Sequence, residues 1–540
     1  MKRLIITLAG IALAISTLTA NIQFDDYKLS PAQKLNAARQ VIEQFYVEDV
    51  DADTMTTEAI KAMLKTLDPH SAYTTAQETK EFTEPLEGKF SGIGIQFNML
   101  EDTVYVIQTI AGGPSERVGI LAGDRIISAN DTVIAGKGLK NTAVMKHLRG
   151  PKGSTVALKV KRGPEVIDFD VTRDDIPLYS IDETFMADPT TGYIRITRFA
   201  ESTAGEVREA VGKLKAKGMK NLILDVSDNG GGFLGAAFDL ASEFLPAGTP
   251  VVSTSGRASR PTTYTTEGQG DFLDGRIVVI ANQNSASASE ILSGALQDND
   301  RALIVGRRTF GKGLVQRPFP FPDGSMIRLT VSRYYTPSGR CIQKHYEKGK
   351  GEEYMLEVLS RYDAGELWSA DSIQRPDSLR YETLHNHRPV YGGGGIIPDV
   401  FVPADTSYYS TYYRDLVAKG LLNKTVISYV DANRAALRQE YPDAESFDRN
   451  YTIPQSLLDK LIAAGTEAKI EYNEEQWKRS EPVIKAIMTG LVGRDLYEDG
   501  SYYRPLSRLN KDFLEALSLI NDQERYNSLL HGMQSEDSGK

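Results

Sequence analysis

Ser287 and Lys312 are the two residues of this 540-residue chain whose types and surroundings could do covalent chemistry. Ser287 lies in the run Ser285-Ala286-Ser287-Ala288-Ser289-Glu290, and Lys312 stands between Gly311 and Gly313. A serine hydroxyl becomes a nucleophile when a base takes its proton, and a lysine amine can be that base once burial leaves it neutral. The pair suggests hydrolysis through an acyl intermediate. Local physics keeps competitors open. Ser287 and Glu290 have the spacing of a capping box, in which both serve free N–H groups at a helix start, and Ser285 and Ser289 are spare hydroxyls. Gly306 to Lys312 matches a phosphate-binding loop through its lysine, but Gly313 stands where a magnesium-binding Ser or Thr is required. A surface lysine in a glycine turn is the plain alternative.

An apolar run precedes each residue, 277–281 before the serine and 302–306 before the lysine. Both read as buried strands, so serine and lysine sit where strands end, the place where α/β folds put their chemistry. The same pattern starts upstream. A strand at 193–196, an amphipathic helix over 204–216 and a buried strand at 221–226 lead into Asn229-Gly230-Gly231-Gly232, followed by a helix at 234–244 and a strand at 250–252. A helix opening at Ser287 presents the Ala288 N–H to an attacked carbonyl, and Gly231 or Gly232 could bring a second N–H to the same point. The sequence does not choose between the glycines. Asp225 is a strand-end carboxylate that could organise their turn. A strand over 326–335 ends at Thr336-Pro337-Ser338-Gly339-Arg340, and a charged, tyrosine-bearing stretch near 345–390 reads as a surface insertion. Strands alternating with helices imply a sheet layered with helices, an α/β multidomain protein.

The flanks differ. Ser30-Pro31 opens a helix as N-cap and first helical residue, and a second helix from about 56 to 67 stops at Asp68-Pro69; Asp68-Pro69-His70-Ser71 is read as that terminator. Residues 88–174 carry short strands at 93–97, 104–107, 125–129 and 156–160. Beyond 406, apolar residues recur at helical spacing over 426–436, 457–464 and 483–491. The expected divisions are 1–20, 21–87, 88–174, 175–405 and 406–540. Lys2-Arg3, the apolar segment 4–15 and the small residues up to Ala20 have the layout of a signal peptide. The expectation is an exported protein of the periplasm or cell envelope. An uncleaved anchor is the alternative, although the run is short of the ~20 residues of a spanning helix.

Composition excludes some classes. A formal net charge of −10 argues against a nucleic-acid binder. Cys341 is the only cysteine, so no intrachain disulfide is available. The six histidines show no metal-site spacing, and no metal or other cofactor is expected.

The motifs of 88–174 resemble a PDZ domain, with Gly92-Ile93-Gly94-Ile95 matching its carboxylate-binding loop and Ala122-Gly123-Asp124-Arg125-Ile126 one of its strands. In such a loop, successive N–H groups form a nest for a peptide's terminal carboxylate. Ile95, Phe97 and Val144 would then favour an apolar last residue, and Arg162 is a candidate for coupling to the core. With Asn229 to Gly232, Ser285 to Glu290, Thr309-Phe310-Gly311-Lys312-Gly313-Leu314-Val315-Gln316 and Tyr335 to Arg340, residues of about 30–405 resemble the C-terminal processing peptidases, or tail-specific proteases. The resemblance implies a crotonase/ClpP-like layered α/β protease core with an inserted PDZ domain, flanked by N-terminal and C-terminal helical regions. It implies Ser287 as nucleophile, Lys312 as base and Gln316 as the lysine's hydrogen-bond partner. It further implies protein or peptide substrates with apolar C-terminal tails, an envelope adaptor and a homodimer as partners. Two rivals stay open: a catalytically inactive PDZ scaffold, and a core that binds a small apolar ligand.

Overall fold

The structure, a computed structural model, describes residues 29–268, 270–497 and 502–532; the signal-peptide reading of 1–20 lies outside them. The described residues divide between 66 and 67 into two compact units. In the first, helix Pro31–Phe45 starts with a capping box in which Ser30 and Gln33 serve each other's backbone, and helix Ala52–Lys65 is capped by Asp51.

The second unit is built on a six-stranded sheet in the order Ile181–Met186, Thr191–Ile196, Asn221–Asp225, Ile277–Ala281, Leu303–Gly306, Val400–Phe401. All neighbours beyond the first pair are parallel. A parallel sheet needs cover on both faces, which is why its strands are continuous apolar runs. Alternate residues serve opposite sides. Ile194, Leu222, Leu224, Ile277 and Val279 meet helices Thr203–Ala216, Leu234–Ala241 and Ala288–Asp298. Tyr193, Ile223, Val278 and Val305 meet Phe513, Leu519 and Tyr526 of helices Lys511–Asn521 and Gln523–Leu530. The last helices of the C-terminal region thus form the third layer of the core.

A second sheet pairs Ala72–Thr74, Met326–Tyr335, Pro250–Gly256 and Ser259–Thr265, and strand Leu314–Pro320 joins it antiparallel to Met326–Tyr335. That register sets Gln316 opposite Thr330 and Pro318 opposite Arg328.

The PDZ-like sheet holds Ile95–Leu100, Thr103–Thr109, Arg125–Ala129, Thr155–Arg162 and Glu165–Thr172. Ile93 is buried, its carbonyl accepting the Ser115 N–H and hydroxyl, and Gly94 takes φ +72°, so Gly92 to Ile95 do form a tight loop before a strand. Two expectations are corrected. Val144 is fully buried among Val104, Val156 and Leu158, so it faces the domain core and no ligand. Arg162 forks onto Asp124 and the Gly119 carbonyl, contacts inside its own domain, so it does not reach the core. The opposite face of this sheet is covered by helix Leu421–Glu440, where Ile427 packs on Leu100, Tyr105 and Ile107 and Asp431 pairs with Arg125 at 2.7 Å.

The stretch read as a surface insertion also has an inner face. Helix Gly351–Asp363 buries Tyr354 and Arg361, and Arg361 donates to the carbonyls of Thr309 at 2.7 Å and Phe310 at 2.9 Å. It buttresses the loop that carries Lys312.

Candidate active site

The three serines separate by their partners. Ser285 Oγ donates to the Val226 carbonyl at 2.7 Å and Ser289 Oγ to the Asn229 carbonyl at 2.8 Å, and both residues are fully buried. They fasten the serine segment to the glycine turn. Ser287 instead lines a cavity of about 360 Å³ with Gly230, Gly231, Gly232, Lys312 and Gln316. Its backbone sits at φ +56°, ψ −112°, a region serine rarely occupies. Such strain costs on the order of 1–3 kcal/mol and persists only where surrounding contacts impose it.

Two side chains impose it. The buried Glu290 carboxylate accepts the N–H of Ser287 at 2.8 Å and of Lys312 at 2.9 Å on one oxygen. Its other oxygen accepts the Gly311 N–H at 2.7 Å and the Thr309 hydroxyl at 2.6 Å. Tyr334 Oη is shared between the carbonyls of Lys312 at 2.5 Å and Ser287 at 3.2 Å. One acid and one phenol therefore staple the serine loop to the lysine loop through both backbones. The expected capping box between Ser287 and Glu290 is present, so the serine that lines the cavity also stands at a capped helix start. The N–H groups that a phosphate would use at Gly311 and Lys312 are spent on Glu290.

Of the two candidate glycines, Gly231 packs closest to the serine. A Cβ there would stand 2.7 Å from Ser287 Cβ and 2.9 Å from the Ala288 nitrogen, at φ +100°. Its N–H already donates to Asn229 Oδ1 at 2.8 Å. The N–H groups of Gly232 and Ala288 meet no acceptor among the described residues.

Burial first, and then the positive charge of Arg328, holds the Lys312 amine below its ordinary pKa, against the opposing carboxylates of Glu290 and Asp68. Gln316 shares the cavity, but its Nε2 donates to the Leu314 carbonyl at 3.3 Å and to Thr330 Oγ1 at 3.2 Å. Among the described residues, neither the expected glutamine–lysine bond nor a serine–lysine hydrogen bond is made. Such bonds are often loose without substrate. Thr330 Oγ1 passes on to Asp68 Oδ1 at 2.9 Å, and Asp68 also accepts the N–H groups of His70 and Ser71. Asp68 is thus more than a helix terminator: it anchors the chain that holds Gln316. Asp225, buried, takes hydrogen bonds from Tyr193, Arg195 and Ser227, away from the cavity.

His70 bonds to Tyr354 Oη at 3.0 Å, and burial, followed by the charge of Lys312, lowers its pKa to about 4. Its folded pKa thus lies below the unfolded value of about 6.5. The unfolded chain binds the extra proton, so this contribution is full above pH ~6.5 and is lost as pH falls toward 4. Urea midpoints are expected to drop across that window, and a His70→Asn protein to show a flatter profile; equal slopes would refute the assignment.

Among the described residues, no group of three or more His, Cys, Asp or Glu is placed to hold a metal.

Comparison with known proteins adds independent findings. Residues 190–349 match the model of peptidase family S41, 91–172 the PDZ domain, 14–79 the "Activating protease CtpB N-terminal domain" and 412–499 a family of unknown function. A Staphylococcus epidermidis protein named "Probable CtpA-like serine protease" is 33% identical over 352 residues, 64% of this chain and 70% of that protein. A Staphylococcus aureus protein of the same name is 35% identical over 348 residues, 63% of this chain and 68% of its own length. Among solved structures, a photosystem II D1 C-terminal processing protease aligns with 27% identity and a TM-score of 0.34, covering 58% of this chain and 91% of that one.

Proposed function

Because the chain belongs to the CtpA-like serine proteases of peptidase family S41, which makes it a serine-type C-terminal processing peptidase, we propose that Ser287 and Lys312 are its catalytic pair. The observation that carries this is the strained Ser287 at the head of helix Ala288–Asp298, sharing one cavity with a half-buried lysine whose backbone is stapled to its own. Neutral Lys312 takes the proton from Ser287 Oγ as that oxygen bonds to the scissile carbonyl carbon. The carbonyl oxygen becomes an oxyanion, and the N–H groups of Ala288 and Gly232 are the donors with capacity to receive it. When the C–N bond breaks, the lysine's proton goes to the leaving amine. Water then releases the acyl group by the same steps in reverse order. Gly231 allows the close approach, and Gln316 lines the site beside the lysine.

Selection of substrates by their C-terminal tails is assigned to the PDZ domain, on the support of the Gly92-Ile93-Gly94-Ile95 loop. Work in the periplasm or envelope, an adaptor there and a homodimer are proposals resting on the sequence reading alone.

The test is a serine-reactive fluorophosphonate. It should label Ser287 and block peptide cleavage. Labelling and kcat/KM should both rise with pH as Lys312 loses its proton, with a midpoint below the ordinary lysine value of about 10.4. Tail binding with neither labelling nor turnover would mark a scaffold, and a rate independent of pH would remove Lys312 as the base.

A further inference from the structure

The cavity beside Ser287 contains a second cation besides Lys312. Arg328, on strand Met326–Tyr335, lines it with its guanidinium 3.9 Å over the ring of Phe82. Phe82 belongs to helix Ala76–Glu87, which adds Thr83 and Leu86 to the same wall. A ring stacked on one face of a guanidinium leaves its in-plane N–H fork free. Arg328 Nε is buried without a hydrogen-bond partner, and no carboxylate pairs with this arginine among the described residues. No Asp or Glu lines the cavity at all. Partial burial lowers the pKa of Arg328, in the direction expected of a cation partly withdrawn from water without a counter-ion.

A half-buried cation that has no carboxylate beside it and one buried N–H without an acceptor is costly, and an arriving anion relieves part of that cost. The planar fork suits a carboxylate held by two parallel hydrogen bonds. The cavity is small, about 360 Å³. An extended peptide advances about 3.3 Å per residue, so only about two or three substrate residues fit around the reacting bond. We propose that Arg328 is a specificity-determining residue that receives a carboxylate of the substrate within two or three residues of the scissile bond. The carboxylate is either the terminal group of a short tail or the side chain of Asp or Glu. The first source would let the enzyme trim tails too short to reach its PDZ domain. The inference rests on the cavity being the catalytic one and adds no chemical step to the hydrolysis.

The experiment uses the full chain and three peptides identical up to the scissile bond. One ends two residues beyond it in a free carboxylate, one ends there in an amide, and one is the amide with Glu replacing the final neutral residue. With the unaltered enzyme, one acidic peptide should be favoured over the neutral amide by about tenfold or more in KM, and whichever is favoured identifies the source. Arg328→Met should bring the acid-to-neutral ratio close to one, and Arg328→Lys, which keeps the charge but loses the fork, should fall between. Equal KM for all three peptides, or an unchanged ratio in Arg328→Met, overturns the proposal. Fluorescence anisotropy on a Ser287→Ala background reads the same ratios as affinities, independent of turnover. If Arg328→Met fails to fold, the Arg328→Lys ratio decides. A wrong dyad would show as cleavage surviving Ser287→Ala, whereas a wrong role for Arg328 would show as an unchanged ratio in a chain whose Ser287→Ala form is dead.

Discussion

Alanine at position 287 lowers kcat on a fluorogenic peptide by about 10⁵-fold or more and costs no more than about 1 kcal/mol of stability. The large first number follows from losing the atom proposed to form the acyl bond. The second follows from the site itself. Losing the hydroxyl costs at most its share of the capping box with Glu290, and alanine meets the same backbone strain as serine. Lys312→Met should match Ser287→Ala in kcat, and the double variant should be no worse than either, because a nucleophile and its base act as a unit. Ser285→Ala and Ser289→Ala should show the reverse pattern. Each removes a buried hydroxyl's bond to a backbone carbonyl, and Ser285→Ala also strands the Asn282 N–H, which costs about 1–3 kcal/mol of stability, with a far smaller loss of rate. Substantial cleavage by the Ser287→Ala protein, measured beside a melting curve, would end the assignment.

Glu290→Ala carries the largest expected loss of stability. Its carboxylate receives three backbone N–H groups and one hydroxyl with no access to water. Stranding a buried donor costs about 1–3 kcal/mol, so a loss of roughly 4 kcal/mol or more is expected from urea unfolding. Activity should fall with it even where the protein remains folded, because the Ser287 and Lys312 backbones are then free to part. Glu290→Gln should not rescue it, since its NH₂ would face N–H or O–H donors where an oxygen now accepts. Tyr334→Phe is the informative contrast. It removes one shared donor, so stability should drop by only about 1 kcal/mol while kcat falls disproportionately. Equal losses of stability in the two variants would mean that Glu290 is an ordinary helix cap.

Much of this was legible in the sequence, and what was not has physical causes. Residues 277–281 and 221–226 announced themselves because both faces of a parallel strand are buried. Strand Leu314–Pro320 was unreadable because Pro318 and Pro320 contradict a strand pattern that only the partner Met326–Tyr335 stabilises. Glu165–Thr172 was missed because its residues are mostly exposed or half-exposed. Ser285, Ser287 and Ser289 cannot be told apart locally, since what distinguishes them is which carbonyl each hydroxyl meets across the fold. Glu290 stood in a legible motif, yet its partners at Thr309, Gly311 and Lys312 arrive from another loop. Tyr334 had no local signal at all. The glutamine–lysine bond implied by family resemblance is not made among the described residues; the Gln316 Nε2 donates to Leu314 and Thr330 instead.

The third layer of the core carries a consequence in time. The strand that ends just before the serine segment is closed over by Tyr526, whose hydroxyl donates to the Ile277 carbonyl at 2.9 Å across 249 positions of sequence. At about 5–20 residues per second, a ribosome takes about 10–50 s to cover that interval. Until then, one apolar face of the sheet has no cover. The hydrolytic centre therefore matures late, so a nascent chain spends most of its synthesis without the finished means to cut its neighbours.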